Sequence, residues 1–419
     1  MTERPIILVG YVPPALALLR EFQPDGSIVL VEEPDIVRKR DVRAAAADSP
    51  LVGELVEWEY QLPGTADEFA NARPDLASAA AVIPLVEYAT SFAARLAERL
   101  GIPGASSGAA ALLRDKPLLR RATRAAGIAN PVCREVDSPG AVREFMAEHH
   151  GPVILKPTNR QAAVGIRVLH EPGEVDEAWA VCVVHDEGIF VPDRPMPLRM
   201  LVETYVHGHE YSVEMLVRDG EPLFANVTDK MLFPGPYPVE RGHVVPAAIG
   251  PDLRALLAER TTDVLRATGF GTGVVHCEWI VRDDTPFLVE CAGRLPGDGI
   301  AELLERAYGF SLGRAYFALM RGDDVPALPT EAARTAVVCF NDAVPGTITA
   351  ITDLDQIRAL PGVVSSSKGV SVGDTVRELH SSWDRLALVM TCAPTAHEAV
   401  LLAEKAIGQL QIDTVRSAT

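Results

Sequence analysis

Residues 274–298 read VVHCEWIVRDDTPFLVECAGRLPGD. Two runs rich in β-branched and aromatic residues flank a short polar turn, which is the pattern of a β-hairpin. A hairpin centred on Asp284 sets Glu278 opposite Glu290. Cross-strand partners project to one face with side chains about 5 Å apart, and two carboxylates that close repel unless a cation sits between them. Hard oxygen ligands of this kind suit Mg²⁺, which keeps several waters and bridges to phosphate oxygens. Strict alternation puts His276, Ile280 and Leu288 on the same face, and Cys277, Trp279, Val289 and Cys291 on the other, where the thiols read as small core residues. A solvated hairpin with two acids is the plain alternative. It fits poorly with a face that also carries Ile280 and Leu288. Arg294 follows Glu290 by four residues, ahead of a Pro-Gly turn, and a fixed guanidinium there is suited to holding a phosphoryl group or a carboxylate.

Around this stretch lies an acidic chain of 419 residues, with 39 Lys plus Arg against 57 Asp plus Glu and a formal charge of −18. At about 100–200 residues per domain, two to four domains are expected. The charge repels a phosphate backbone, and no basic run with interleaved aromatics is present, so nucleic acid is excluded as a partner. Mean hydropathy is +0.12, largely from alanine. The most apolar region, 77–86, is broken by Pro84, so no membrane span is expected. The apolar residues before Pro13 and Pro14 are too few for a signal peptide. The six cysteines include no Cys-x-x-Cys pair, which suggests neither a disulfide framework nor a zinc ribbon. A reduced, cytoplasmic enzyme is the expectation.

Strand-like runs at 6–9, 27–32, 54–60 and 81–85 alternate with helical stretches at 14–22, 35–47 and 86–100, the pattern of a doubly wound parallel sheet. The turn after the first strand, Gly10-Tyr11-Val12-Pro13-Pro14, lacks Gly-x-Gly-x-x-Gly, which argues against a dinucleotide site and a nicotinamide oxidoreductase. Residues 101–108 suit a linker. Helices follow at 115–127 and at 138–150, the latter opened by a Ser cap. From 151 to about 299 the pattern is β-rich, with Asp219-Gly220 marking a hairpin between 211–217 and 222–227. After Arg321 a Pro-spaced linker leads to short strands (336–340, 387–391) and a closing helix from 396 to about 410. The fold class is therefore α/β and α+β, multidomain.

The carboxylate pair and its surroundings resemble the ATP-grasp superfamily of carboxylate–amine ligases, over roughly residues 109–322. The family's metal motif, a Glu followed about a dozen residues later by Glu-x-Asn-x-Arg, reads here Glu278 and Glu290-Cys291-Ala292-Gly293-Arg294. Ala292 at the Asn position removes one expected Mg²⁺ ligand and puts the second ion of the family at issue. The resemblance implies three units: an N-terminal α/β domain (1–105), an ATP-grasp domain (106–322, with a lid subdomain at about 125–205 and a large subdomain from about 206) and a C-terminal α/β unit (323–419). It also implies a homodimer. Asp115-Lys116 and Ile154-Leu155-Lys156-Pro157 resemble the family's two phosphate lysines, and residues 158–165, with one glycine, its phosphate-covering loop. Residues 201–214 resemble its hinge, which assigns Glu203, Tyr205 and Val206 to the adenine edge, Glu210 to the ribose, and Ile154, Ile280 and Leu288 to the apolar walls.

Within the superfamily, Thr228-Asp229-Lys230 followed by Val239-Glu240-Arg241-Gly242-His243 and Pro246 resembles the L-amino-acid ligase (dipeptide synthase) branch. That likeness implies Glu240 as the ligand of a substrate ammonium, with His243 beside the nucleophilic amine, and Lys156, His243 and Arg294 as the catalytic set. The implied activity uses MgATP to turn an amino-acid-type carboxylate into an acyl phosphate that an amine attacks, releasing ADP and phosphate. Asp298 and Glu87 are candidates for the acyl pocket by location. Bicarbonate activation, D-amino-acid ligation and an inactive nucleotide-binding module are the competing readings.

Overall fold

The computed structural model describes residues 4–183 and 190–416. Its first unit is the expected parallel sheet: β1 (Ile6–Val9), β2 (Ile28–Glu32), β3 (Val52–Glu57) and β4 (Ala81–Pro84), in the order β3-β2-β1-β4. β1, β2 and β4 are buried along their whole length. Helices cover both faces, which is why these strands read as unbroken apolar runs. The helix expected over 35–47 is two helices, Pro34–Lys39 and Val42–Ala47, interrupted where Asp41 adopts φ 48°.

A second, antiparallel sheet consists of β5 (Cys133–Val136), β6 (Val153–Pro157), β7 (Arg167–Leu169) and β8 (Met200–Thr204), in the order β5-β8-β6-β7. Helix Pro139–His149 begins at Ser138, whose hydroxyl accepts from the Ala141 amide. Its residues Val142 and Phe145 pack with Val153, Leu155 and Val202 of the sheet.

The remaining strands are β9 (His209–Arg218), β10 (Glu221–Leu232), β11 (Glu240–Val245), β12 (Gly273–Arg282), β13 (Thr285–Ala292), β14 (Thr335–Asn341), β15 (Gly346–Ile351), β16 (Val363–Lys368), β17 (Thr375–Val376), β18 (Ala387–Ala393) and β19 (Ile412–Val415). Eight of them form one sheet in the order β13-β12-β9-β10-β11-β14-β18-β16, while β17-β15-β19 form a small one. Asp219 and Gly220 join β9 to β10 with φ 51° and 82°, the left-handed pair that a two-residue hairpin turn requires. One face of the large sheet is covered by helix Pro251–Thr268, through Leu257, Val264 and Leu265 against Val213, Met215 and Val275.

The large sheet runs across the boundary expected near residue 322, because β14 pairs with β11 through Gly242↔Cys339, His243↔Val338 and Val244↔Val337. Gly242 permits the approach: a Cβ there would lie 2.4 Å from the Val338 carbonyl oxygen. Gly242→Ala should therefore cost roughly 1–3 kcal/mol, the range for an overpacked interior. Urea unfolding measures it, and an unchanged midpoint would mean that the ladder has slack at this point.

Candidate active site

A cavity of about 1660 Å³ lies between β6 and the face of the large sheet formed by β9–β13, closed at one side by residues 85–87 of the first unit and at another by residues 382–385. The 274–298 stretch forms its floor. Arg282 pairs with Thr285 around a two-residue turn, Asp283-Asp284, with φ 48° and 59°. From there the pairing runs to Trp279↔Leu288, slips by one residue, and resumes at Glu278↔Glu290. The carboxylates face each other as expected, but through a β-bulge at Val289 rather than a turn centred on Asp284. An extra residue on one strand reverses alternation beyond it. Leu288, expected on the cleft wall, is fully buried with Trp279 and Cys277 in the core, and Val289, expected in the core, lines the cleft beside Ile280.

The floor is a charge network. Lys230, on β10 and 4% exposed, places Nζ 2.5 Å from Glu210, 2.7 Å from Glu278 Oε1 and 3.4 Å from Glu240. His276 bridges Glu214 (3.0 Å) and Glu278 Oε1 (3.3 Å). Burial opposes charge on His276, but its two carboxylate hydrogen bonds outweigh burial and push the imidazole up to about 10, so it is an imidazolium at neutral pH. Burial would also raise Glu278. Lys230 and His276 prevail and hold it well below the usual carboxylate range. Glu210 moves the other way, because burial and the neighbouring Glu278 and Glu240 charges outweigh Lys230. The carboxylate that the resemblance assigns to the ribose is thus raised where its neighbours Glu214 and Glu278 are lowered.

The cations expected on the phosphates line the same cavity. Lys116, first residue of helix Lys116–Ala125, lies 2.9 Å from Glu290 Oε2. Lys156, at the end of β6, lies 2.6 Å from Glu203, which also holds Arg120 at 2.8 Å. Burial keeps Lys156 below the usual lysine range despite that partner. Glu203, expected at the adenine edge, is 1% exposed and sits behind the wall rather than on it. Its carboxylate is committed to the two cations. Tyr205 and Val206 do line the cavity, with Ile154 and Ile280 as apolar walls. The Tyr205 amide donates to the Pro152 carbonyl oxygen, while no hydrogen bond joins the Val206 amide to a described residue. The 158–165 loop turns through positive φ at Ala162, Ala163 and Gly165, and the Ala162 carbonyl accepts from the Ser382 amide.

Arg294 donates from Nε to Glu87 (2.7 Å) and from Nη1 to the Leu295 carbonyl (2.8 Å). Glu87 is buried, which would raise its carboxyl, but Arg294 and Arg114 together lower it. On the opposite side, Glu240 accepts from the Ser382 hydroxyl (2.8 Å), and His243 Nε2 lies 3.0 Å from Asp298. Arg385 grips Asp298 with both amino groups, at 2.9 and 2.5 Å. Burial opposes the Asp298 charge, yet Arg385 and His243 hold it well below the usual range. The buried Nδ1 of His243, on the other side of the ring from Asp298, has no partner among the described residues. Asp298 thus stands with His243 and Arg385 and apart from the Glu87–Arg294 pair. Arg385 and Ser382, from the C-terminal unit, carried no motif that sequence inspection could have found. Arg120 carried a weak one, since it follows Lys116 by one helical turn on the buried face.

For a divalent ion the donor set fits in a limited way. Among the described residues no cluster of three His, Cys, Asp or Glu could hold a metal. Among the described residues no hydrogen bond engages Glu278 Oε2 or Glu290 Oε1, while their sister oxygens are engaged. Two such oxygens suit Mg²⁺, which completes its shell with water and phosphate.

Comparison with known proteins agrees with this geometry. Residues 149–302 match the ATP-grasp domain family, and residues 341–415 match the L-amino acid ligase C-terminal domain 2. Alanine–anticapsin ligase of Bacillus subtilis is 24% identical over 52% of this chain and 49% of its own length. A D-alanine–D-alanine ligase of Halorhodospira halophila is 28% identical over 52% of this chain and 73% of its own. The crystal structure of an L-amino acid ligase from Bacillus licheniformis superimposes with a TM-score of 0.76 at 18% identity, covering 99% of each chain. The chain thus has the ATP-grasp fold and an ATP-grasp domain. Within that class it resembles the L-amino-acid ligase branch, one of whose C-terminal domains it carries.

Burial would raise the Glu203 carboxyl, but Arg120 and Lys156 bring it down to about 2, against an ordinary 4.5. A lowered folded value stabilises above the unfolded one and is lost as pH falls through the folded one. Glu203→Gln should destabilise by roughly 3–5 kcal/mol at pH 7, by stranding two buried cations. That deficit should shrink as pH drops from 4.5 toward 2. Urea unfolding across this window tests it, and a deficit independent of pH would refute the ion-pair account.

Proposed function

We propose that this protein is an ATP-dependent ligase that joins an amino-acid-type carboxylate to an amine through an acyl phosphate, releasing ADP and phosphate. The observation that carries this reading is the convergence on one cavity of the Glu278–Glu290 pair, the cations Lys116, Lys156 and Arg294, and the separate anionic corner of Glu240, His243 and Asp298. The first two groups suit a nucleotide triphosphate with its metal, and the third suits an ammonium.

Ile154, Ile280 and Val289 offer apolar surface to the adenine ring, and the Val206 amide offers its edge a donor. Lys116 and Lys156 are point charges for phosphate oxygens. Glu278 and Glu290 would hold Mg²⁺, which when bound would supply charge neutralisation for the phosphoryl group. Arg294, oriented by Glu87, has Nη2 left to bind the reacting carboxylate and then the oxyanion formed when the amine adds to the acyl carbonyl. Glu240 receives the ammonium of the incoming amino acid. His243, held through Nε2 by Asp298 and with Nδ1 unpartnered among the described residues, is suited to accept the proton the amine must lose before it attacks. Residues 158–165, tied to Ser382, cover the reaction and keep water from the acyl phosphate.

The test is phosphate release across a matrix of amino-acid pairs with MgATP, with mass measurement of products. ADP, phosphate and amide should appear in equal amounts only when both substrates are present. ATP hydrolysis indifferent to amino acids, or tight ATP binding with no turnover, would refute the ligase reading. Glu290→Gln should reduce turnover at least 100-fold. Glu240→Gln should raise KM for the amine substrate about tenfold or more with KM for ATP unchanged, the signature of a lost contact to one substrate alone.

A further inference from the structure

A second cavity, of about 640 Å³, lies between residues 60–66 and 88–95 of the first unit, the 191–197 segment and Asn159-Arg160 of the 158–165 loop. It shares one lining residue, Arg160, with the first cavity, and its volume is in the usual range of small-molecule sites. Tyr60, Tyr88, Phe92, Pro192 and Met196 give it apolar and aromatic walls. Four arginines line it, Arg95, Arg114, Arg160 and Arg194, against one acid, Asp193. Arg95 is paired from outside the lining by Asp67 and Glu98, Arg194 by Glu33 and Glu59, and Asp193 is taken by Lys39 and Arg38. Arg114 differs. Its Nη1 lies 3.3 Å from Glu87 Oε1, and the other Glu87 oxygen is held more closely, at 2.7 Å, by Arg294. No hydrogen bond joins Arg114 Nε or Nη2 to a described residue, and neither nitrogen is buried. The Arg114 guanidinium lies 4.9 Å over the ring of Tyr88, whose buried hydroxyl has no partner among the described residues. Gln61 Oε1 and Arg194 Nε are in the same condition. Buried polar groups are normally paired, and three unpaired ones in the lining of one cavity mark a place for the polar atoms of a ligand.

We propose that this cavity binds a small carboxylate with an aromatic or apolar body on Arg114, and that the bound anion inhibits the ligase through the chain Arg114–Glu87–Arg294. The regulatory half rests on the ATP-dependent reading above, whereas the binding half does not. Glu87 stands between two guanidiniums, one lining each cavity. A carboxylate on Arg114 competes with Glu87 for that cation. Glu87 then draws harder on Arg294, the residue assigned to the reacting carboxylate. A second link runs through the loop, since the Arg160 carbonyl accepts from Lys116 Nζ at 3.3 Å. Coupling of this kind is reciprocal, so a carboxylate bound at Arg294 weakens the effector by the same factor.

The experiment is calorimetric titration of the whole protein with 3-phenylpropionate. Wild type should bind it, and should bind 3-phenylpropionamide, which lacks the charge, about tenfold more weakly or worse. Ser91→Trp and Met196→Trp, which fill the cavity from the first unit and from the 191–197 segment, should each lose binding, as should Arg114→Gln. Arg294→Gln, in the catalytic cavity, should keep it within about fivefold. No binding by wild type, or binding lost in Arg294→Gln and kept in either folded tryptophan variant, would overturn the site. L-phenylalanyl-L-phenylalanine is titrated alongside: tighter binding than 3-phenylpropionate identifies feedback by a product-type carboxylate, and weaker binding a separate effector, both on the proposed site. In the phosphate-release assay, saturating 3-phenylpropionate should raise KM for the carboxylate substrate about fivefold or more with KM for ATP unchanged. Ser91→Trp should show the same KM with and without it. An unchanged KM in wild type that binds the probe would overturn the regulation. Absence of all turnover would overturn the ligase reading and the regulatory half with it, and leave the binding result standing.

Discussion

Burying ionised groups is costly unless each finds a partner of opposite sign, and the centre of this molecule is built under that constraint. Lys230, Glu214, Glu203 and Arg120 are each 4% exposed or less, and none could remain charged alone. The solution is a set of interlocking pairs: Lys230 with Glu210 and Glu278, His276 with Glu214 and Glu278, Lys156 and Arg120 with Glu203, Arg294 with Glu87, Arg385 with Asp298. These pairs draw on residues as far apart in the chain as 87 and 385. The cleft is therefore assembled only when all of its walls are, and a side chain in any one wall sets the protonation of groups in another.

Much of the architecture was legible in the sequence because hydrophobic period and turn chemistry agree there. The runs at 6–9 and 81–85, the Ser138 cap and the Asp219-Gly220 turn each combined a clear pattern with a specific punctuating residue, and each forms nearly as expected. Helix 35–47 was misread because nothing in its composition marks Asp41, whose left-handed backbone breaks it. The bulge at Val289 was equally invisible, since strict alternation has no term for an inserted residue. The Glu278–Glu290 pairing nevertheless came out correctly. The half-residue offset of the turn and the slip at the bulge fall on opposite sides of the count, and the error remains only in Leu288 and Val289, which exchange faces.

The site divides along the same line. Cleft residues that belong to a sequence motif, such as Lys116, Lys156, Glu240 and Arg294, could be named from their neighbours in sequence. Those that act through tertiary contact could not. Glu203 is set behind the cleft by Arg120 and Lys156, and Arg385 is brought to Asp298 by a strand pairing that joins residues nearly a hundred positions apart. Long-range ion pairs leave no local trace, because either partner alone looks like one more surface charge.

The continuous eight-stranded sheet also determines which parts of the cleft can move. β11, which carries Glu240 and His243, is laddered on one side to β10 with Lys230 and on the other to β14, and β14 in turn to β18. Floor and C-terminal wall are thus one rigid plate. The β5–β8 sheet is separate from that plate and meets it at discrete points: the Ser382 amide on the Ala162 carbonyl, the Val168 amide on the Pro236 carbonyl, the Leu288 amide on the Ala129 carbonyl, and the stacked rings of Phe190 and Trp383. Opening the cleft along this line would cost only those contacts and leave the ladders of the plate intact, so that the charges in the floor would keep their places.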